Sequence, residues 1–201
     1  IVSQIAWLVL FGLYEREPRA RQIAHRAVAI EAGMSVGAVT HHFATRDALV
    51  DGALRFALTR EVGRLRALAL SLQGKAFDTE AWMESLVAWY SKELKTQPEI
   101  HIACYEAFLA SARNERHRPI VAEWFDTWRQ SAELALRAAG SPDPRGHAEL
   151  FVSTLIGVLL QQLAVPRRSF RQETKTKLLG LVNNLLAKRQ SLSSPRGASN
   201  G

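Results

Sequence analysis

Apolar residues recur at helical spacing along almost the whole of this sequence. Near its start, Val2, Ile5, Val9 and Leu13 follow one another at intervals of three or four residues. That spacing places side chains on one face of an α-helix, whereas a half-buried strand alternates apolar and polar residues. No segment alternates convincingly with period two. The sequence therefore predicts an all-α protein.

Prolines, glycines and capping residues divide this pattern into separate helices. Gly33 suits a left-handed C-terminal cap, and Ser35 and Thr45 can cap the helices that follow them. The predicted helices span residues 1–13, 23–32, 35–42, 45–74, 79–95, 99–112, 118–139, 144–164 and 170–189. Residues 191–201 are small and polar, which predicts a flexible tail.

Composition and charge narrow the class of protein. The chain has 201 residues, of which 47% are apolar, so it can bury a globular core. Lys and Arg number 26 against 19 Asp and Glu, a basic excess that favours a polyanionic partner. Eight of those bases lie in residues 166–201 beside one acid, so net charge alone supports nucleic-acid binding only weakly.

Membrane and secretory classes are not favoured. The single cysteine, Cys104, excludes an internal disulfide framework and fits a reducing compartment. The apolar run from Phe151 to Leu160 is too short to span a bilayer, which predicts a buried core helix. Residues 1–13 lack the basic start of a signal peptide. We therefore expect a cytoplasmic protein without a membrane partner.

Residues 23–54 have the spacing of a helix-turn-helix, in which two short helices flank a tight turn at Gly33. Ala29 and Ala38 are small where the two helices must cross closely, and the second helix begins at Ser35, where free backbone N–H groups can face a phosphate. Its exposed side offers short side chains that fit a major groove, from Val36, Gly37, Thr40 and His41. Three residues just beyond suit backbone phosphates: His42, Thr45 and Arg46.

The run RAVAIEAGMSVGAVTHHFATRDALV resembles the DNA-binding signature of TetR-type (tetracycline-repressor-like) transcriptional regulators. Its marks are the Ala-x-x-Ala-Gly-x-Ser turn over residues 29–35, Gly37, the His pair before Phe43, and the Thr-Arg-Asp triplet at residues 45–47. The match covers about 45 residues. The rest of the chain is similar only in being helical and of the expected length.

The resemblance implies a three-helix DNA-binding head over residues 1–45 and a ligand-binding and dimerisation body over residues 46–190. It also implies a homodimer formed through residues 144–164 and 170–189, which bring two reading helices to the half-sites of an operator. A small molecule in the body usually releases the DNA in this family, so repression is the expected sign.

The same resemblance places His25 and Arg26 near the phosphate backbone, Ala38 on the reading helix and Phe43 in the core beneath it. This chain has Thr40 and His41 where the family often has a tyrosine. The predicted DNA-binding residues are His25, Arg26, Ser35, Val36, Gly37, Ala38, Thr40, His41, His42, Thr45 and Arg46.

Aromatic and polarisable residues at helical spacing in the body are candidates for a ligand site, because such sites are apolar with a few polar groups. Plain core packing is the alternative interpretation. The candidates are Trp82, Trp89, His101, Cys104, Tyr105, Phe108, Trp124, Trp128 and Gln161. They predict a small-molecule effector of apolar or aromatic character.

Two other functional classes, an enzyme and a helical interaction module, fit the sequence less well. An enzyme is not favoured, since the sequence has no Gly-rich phosphate loop, G-x-S-x-G elbow or H-E-x-x-H helix. Adjacent residues such as His41 and His42 point about 100° apart on a helix, so they do not make a metal site by themselves. We predict no catalytic residue, metal or cofactor. A helical interaction module without nucleic acid would leave the pattern at residues 35–46 unexplained.

Overall fold

The computed structural model describes residues 25–26, 28–30, 32–45, 48–49, 51–52, 55–56, 58–59, 63–64, 77–113 and 115–187. Within these ranges the regular elements are helices and no strand occurs, which confirms the all-α prediction. The predicted first helix at residues 1–13, the predicted tail at residues 191–201 and the candidate residue Arg46 lie outside the described residues.

The helix bounds agree with the sequence prediction to within one or two residues. In the described ranges the continuous helices are α1 (Val36–His42), α2 (Thr79–Thr96), α3 (Pro98–Arg113), α4 (Arg118–Ala138), α5 (Pro144–Ala164) and α6 (Phe170–Ala187). A 3-10 turn, Glu115–His117, precedes α4 where the sequence predicted only a connection. The residues described from 25 to 30 and from 48 to 64 are also helical.

Local capping explains why α5 begins where it does. Pro144 occupies its first turn, where the missing backbone N–H costs nothing because that group has no helical partner. The Asp143 side chain accepts a hydrogen bond from the Gly146 N–H at 3.1 Å. Gly140, with φ +81°, ends the preceding helix in the left-handed conformation that glycine adopts most easily.

Packing divides the chain into two compact units. The first unit comprises residues 1–67 and 93–127, and the second comprises residues 68–92 and 128–201. Each has its own buried apolar core. The predicted functional division between residues 45 and 46 stays a prediction.

The core of the second unit forms between α5 and α6, which pack against each other. One face of each helix is buried, with Phe151, Val152, Leu155 and Leu159 on α5 and Phe170, Leu178, Val182 and Leu185 on α6. From α2, Trp82 adds its ring 5.2 Å from that of Phe151. By length and composition alone α5 could cross a membrane; the buried face just described packs within this unit.

Charged side chains join α2 to α6 at the surface of the second unit. Arg171 and Lys175 both donate to Glu84, and the Lys175 Nζ lies 2.9 Å from the Glu84 Oε2 and 3.2 Å from a Glu80 oxygen. The hydrogen bonds from Arg171 and then Lys175 hold the pKa of the Glu84 carboxyl below its ordinary value. This network therefore stabilises the unit above the ordinary carboxyl pKa, and its contribution is lost as the pH falls through the lowered pKa.

Candidate nucleic-acid interface and ligand-binding residues

A tight turn sets the path of the chain into α1. Gly33 has φ +62°, and its N–H donates to the Ile30 carbonyl at 3.2 Å. The Met34 N–H donates to the Ala29 carbonyl at 2.9 Å, which completes the bond pair of a Schellman cap. The left-handed glycine predicted from the sequence is therefore confirmed.

The start of α1 is capped as predicted. The Ser35 Oγ accepts a hydrogen bond from the Ala38 N–H at 3.1 Å, so one of the unpaired N–H groups of the first turn is satisfied. Val39 is only 3% exposed, and Val28 and Ala29 from the preceding helix are buried as well. Because these side chains are buried, α1 has one face turned into the protein and another turned outward.

The outward face of α1 carries the side chains predicted to meet a major groove. Val36 is 44% exposed, and Gly37, Thr40 and His41 are exposed too. The Thr40 hydroxyl donates back to the Val36 and Gly37 carbonyls, at 3.0 Å each. Ala38 differs from the other predicted reading residues because it is half-buried.

The end of α1 is held by two long-range contacts. The His25 Nε2 donates to the Phe43 carbonyl oxygen at 2.9 Å, across 18 residues of sequence. The Phe43 ring lies so close to Gly52 that a Cβ placed there would be 2.5 Å from the Phe43 Cε1. Phe43 thus docks α1 on the helical residues that follow, as the resemblance implied, while a phosphate contact by His25 stays a prediction.

Three residues predicted to contact phosphates, Arg26, His42 and Thr45, are exposed. The His42 ring meets the His41 ring edge-on at 5.5 Å between centroids. The Thr45 Oγ1 accepts from the Ala48 N–H at 3.1 Å, which confirms Thr45 as a capping residue.

Asp51 joins the helical residues after α1 to the 3-10 turn before α4. Its Oδ1 accepts from the His117 Nδ1 at 3.0 Å, and its Oδ2 lies 3.1 Å from an Arg116 Nη. His117 is only 4% exposed. Sequence analysis missed this contact because 66 residues separate Asp51 from His117 and no local pattern marks either of them.

The candidate ligand residues fall into both compact units. In the first unit the Phe108 ring lies 5.8 Å from Tyr105, 5.7 Å from Trp124 and 4.8 Å from Phe125, in edge-on and tilted arrangements. His101 is buried and Cys104 half-buried on the same helix. We call Tyr105, Phe108, Trp124 and Phe125 the aromatic cluster.

The other four candidates belong to the second unit. Trp82 is buried between the rings of Phe77 and Phe151, which agrees with the alternative of core packing. Trp89 contacts its neighbour Tyr90, with 4.7 Å between ring centroids. Trp128 is half-buried and Gln161 is exposed. In the described part of the chain, no group of three or more His, Cys, Asp or Glu residues could hold a metal ion.

Comparison with known proteins identifies relatives of this chain. The family model described as "Tetracyclin repressor-like, C-terminal domain" matches residues 77–188, more than half of the sequence. No protein of curated function matches the sequence significantly.

Solved structures share the fold over nearly the whole chain. A TetR-family member from Streptomyces coelicolor A3 is 25% identical with a TM-score of 0.63, over 90% of this chain and 95% of that one. The multidrug-binding protein EbrR, solved in complex with ethidium, is 27% identical with a TM-score of 0.59, over 90% and 98%. A transcriptional regulator from Rhodococcus sp. Rha1 is 22% identical with a TM-score of 0.65, over 93% and 96%.

The Phe43–Gly52 contact can be tested by adding one methyl group. Gly52→Ala would force the Phe43 ring aside, so we expect the free energy of unfolding to fall by about 1–3 kcal/mol, as for other overpacked sites. The matched control is Gly63→Ala, where a Cβ meets no atom of the described residues within 4 Å and alanine should stabilise the helix by roughly 0.5–1 kcal/mol. Chemical denaturation measures both. Equal stability of the two variants would contradict the contact.

Proposed function

The chain belongs to the tetracycline-repressor-like (TetR) family of transcriptional regulators, and we propose that it is a cytoplasmic repressor that a small molecule releases from its DNA operator. The observation that carries this proposal is the orientation of α1. Its buried side is anchored by Val39 and by the adjoining Phe43, while its exposed side presents Val36, Gly37 and Thr40. A helix held in this way can enter a major groove without rearrangement.

Phosphate contacts would flank the reading helix and supply most of the affinity. Arg26, His42 and Thr45 are exposed on the described part of the head, and Arg46 follows Thr45 in sequence. Each phosphate that such a residue neutralises releases a condensed counterion, so binding should weaken steeply as salt rises. No catalytic role is proposed, since regulators of this family act by binding.

Arg46→Ala tests the phosphate role. The operator is first selected from random-sequence DNA with the full-length protein, and affinities are then measured by mobility shift at several salt concentrations. We expect weaker binding to every sequence and a salt slope that is smaller by about 1. Arg168→Ala removes an exposed charge from the body and should leave both quantities unchanged. If the Arg46 variant binds like the parent, Arg46 is not part of the interface; if no sequence is selected, the DNA-binding proposal fails.

We propose the aromatic cluster as the place where an apolar or aromatic effector binds. Phe108 stands between Tyr105 and Trp124, so a flat ligand could stack there in place of one of the ring contacts. The related protein EbrR is described in complex with ethidium and with proflavin, which are aromatic molecules. The remaining candidates, among them Trp82, Trp89 and Gln161, stay sequence predictions.

Within the first unit, Asp51 could transmit a ligand-induced shift from the aromatic cluster to α1. Trp124 lies on α4, whose first residue directly follows His117. A ligand that displaces Trp124 would shift the start of α4, and the hydrogen bond from His117 would carry the shift to Asp51. The helical residues around Asp51 also support Phe43, so α1 would move with them. In a dimer such a shift alters the spacing of the two reading helices.

Asp51→Asn tests this coupling. A panel of aromatic and apolar compounds is screened for quenching of Trp fluorescence and for release of a labelled operator. In the variant we expect the same compounds to quench fluorescence but to release less DNA, because the charged contact to the 3-10 turn is weakened. Glu115→Gln changes an exposed carboxylate in the same turn and should behave like the parent. Equal release by the Asp51 variant would exclude this route.

The second face of α5 and of α6 supports a homodimer. Apolar residues at helical spacing on α6 are largely internal, because Leu178, Val182 and Leu185 are buried in the protomer. The opposite side of α5 nevertheless exposes Leu150 and Leu160. No atom of the described residues lies within 4 Å of a Cβ placed at Gly157 on α5 or at Gly180 on α6, which permits the close approach of another helix. We propose these outward faces, within residues 144–164 and 170–189, as the dimer interface.

Charge placed on this face should separate the protomers. For Leu160→Arg we expect light scattering to report a shift from dimer toward monomer at micromolar concentration, since an arginine buried there would have no partner. Leu109→Arg alters a still more exposed leucine on α3 and should stay dimeric. A parent protein that is already monomeric would overturn the proposal.

A further inference from the structure

We infer that α1 selects A·T base pairs beneath Val36 and Thr40 and recognises the 5-methyl group of thymine. This inference rests on the proposed DNA-binding function and adds to it the kind of base that the reading helix prefers. It follows from three features of the outward face of α1: the side chains that it exposes, the hydrogen-bonding state of Thr40, and the glycine at position 37.

The outward face is mainly apolar at its centre. Val36 and Thr40 are four residues apart, so their side chains are neighbours on the helix, and both are exposed although Val39 is buried. Val36 ends in two methyl groups, and Thr40 carries one methyl group beside its hydroxyl. Methyl-bearing side chains make favourable contacts with the thymine C5-methyl in the major groove.

Thr40 has no hydrogen left for a base in this arrangement. A hydroxyl carries one donor hydrogen, and that of Thr40 is shared between the Val36 and Gly37 carbonyls at 3.0 Å each. Its oxygen can still accept a hydrogen bond. Val36 and Gly37 have no polar side-chain atom, so the centre of the face offers an acceptor and methyl groups but no donor.

This combination matches an A·T pair and mismatches guanine. In the major groove, guanine presents the acceptors N7 and O6 and is read by donors. An A·T pair presents the adenine N6 amino group, which Thr40 can accept from, beside the thymine methyl. His41 lies at the edge of the face and carries an imidazole that can donate; the inference therefore concerns the base pairs beneath Val36 and Thr40.

Gly37 indicates that another surface approaches closely. Glycine inside a helix destabilises it relative to alanine, and the described part of the fold gives no reason for a glycine here. Its φ is not positive, and among the described residues a Cβ would meet only the Ser35 Oγ, at 3.9 Å. The missing side chain instead leaves room for base edges to reach the helix beside Thr40, its neighbour three residues along.

The experiment removes single methyl groups from the DNA. After selection of the operator from random-sequence DNA with the full-length protein, each thymine of one half-site is replaced in turn by deoxyuridine, which pairs identically but lacks the methyl. We expect affinity, measured by fluorescence anisotropy, to fall by about fourfold at one or two thymines, the factor for burying one methyl-sized group. Thymines elsewhere in the site serve as internal controls.

Matched variants assign the methyl contact to Thr40. Thr40→Ser keeps the hydroxyl and loses the methyl, so it should abolish the difference between thymine and deoxyuridine at one position. Thr40→Val keeps the branched shape and should retain that difference. Gly37→Ala should raise the melting temperature and still weaken operator binding, which a purely structural role would not produce.

The possible outcomes distinguish a failure of this inference from a failure of the proposed DNA-binding function. Specific binding that ignores every thymine methyl, or a selected half-site with G·C pairs throughout, overturns the inference and leaves the regulator proposal standing. A methyl effect that persists unchanged in Thr40→Ser overturns the assignment to Thr40. If no sequence is selected at all, the DNA-binding proposal fails and the inference fails with it.

Discussion

The contact between the Phe43 ring and Gly52 fixes the direction in which α1 can face. A helix of seven residues has too few internal hydrogen bonds to hold itself in place, so its orientation must come from packing. Phe43 supplies that packing at one end, and the Schellman turn at Gly33 supplies it at the other. Between them, the buried Val39 prevents rotation of the helix.

The packing that anchors α1 is linked to the 3-10 turn through Asp51. Asp51 belongs to the same helical stretch as Gly52 and contacts the buried His117 and the more exposed Arg116. An ionic contact that is partly shielded from water resists the loss of either partner, because the remaining group is left poorly solvated. Gly52, which packs against Phe43, and Asp51, which contacts the 3-10 turn, are therefore adjacent in sequence.

Local rules predicted much of this fold from sequence. Gly33, Ser35 and Thr45 were identified as capping residues, and the structure confirms all three because a cap depends on residues within one turn of it. The bounds of the helices were predicted from the same kind of local signal, and Pro144 marked the start of α5.

Long-range pairings were not predictable in this way. Nothing near Asp51 in the sequence points to residues 116 and 117. Helical periodicity alone also did not show that Trp82 packs against Phe151 and Trp124 against Phe108, although both tryptophans are buried. Likewise, apolar spacing located α6 but not which of its leucines would be internal, since an amphipathic stripe reads the same whether its partner helix is in the same protomer or another.

The separation between Asp51 and its partners also has a consequence for biosynthesis. The turn at Gly33 closes through residues at most five apart, so it can form as soon as that segment leaves the ribosome. His117 follows Asp51 by 66 residues, and at about 5–20 residues per second it emerges roughly 3–13 s later. During that interval the nascent residues around Asp51 lack their partner on the 3-10 turn, so the Schellman turn forms before the contact between Asp51 and His117.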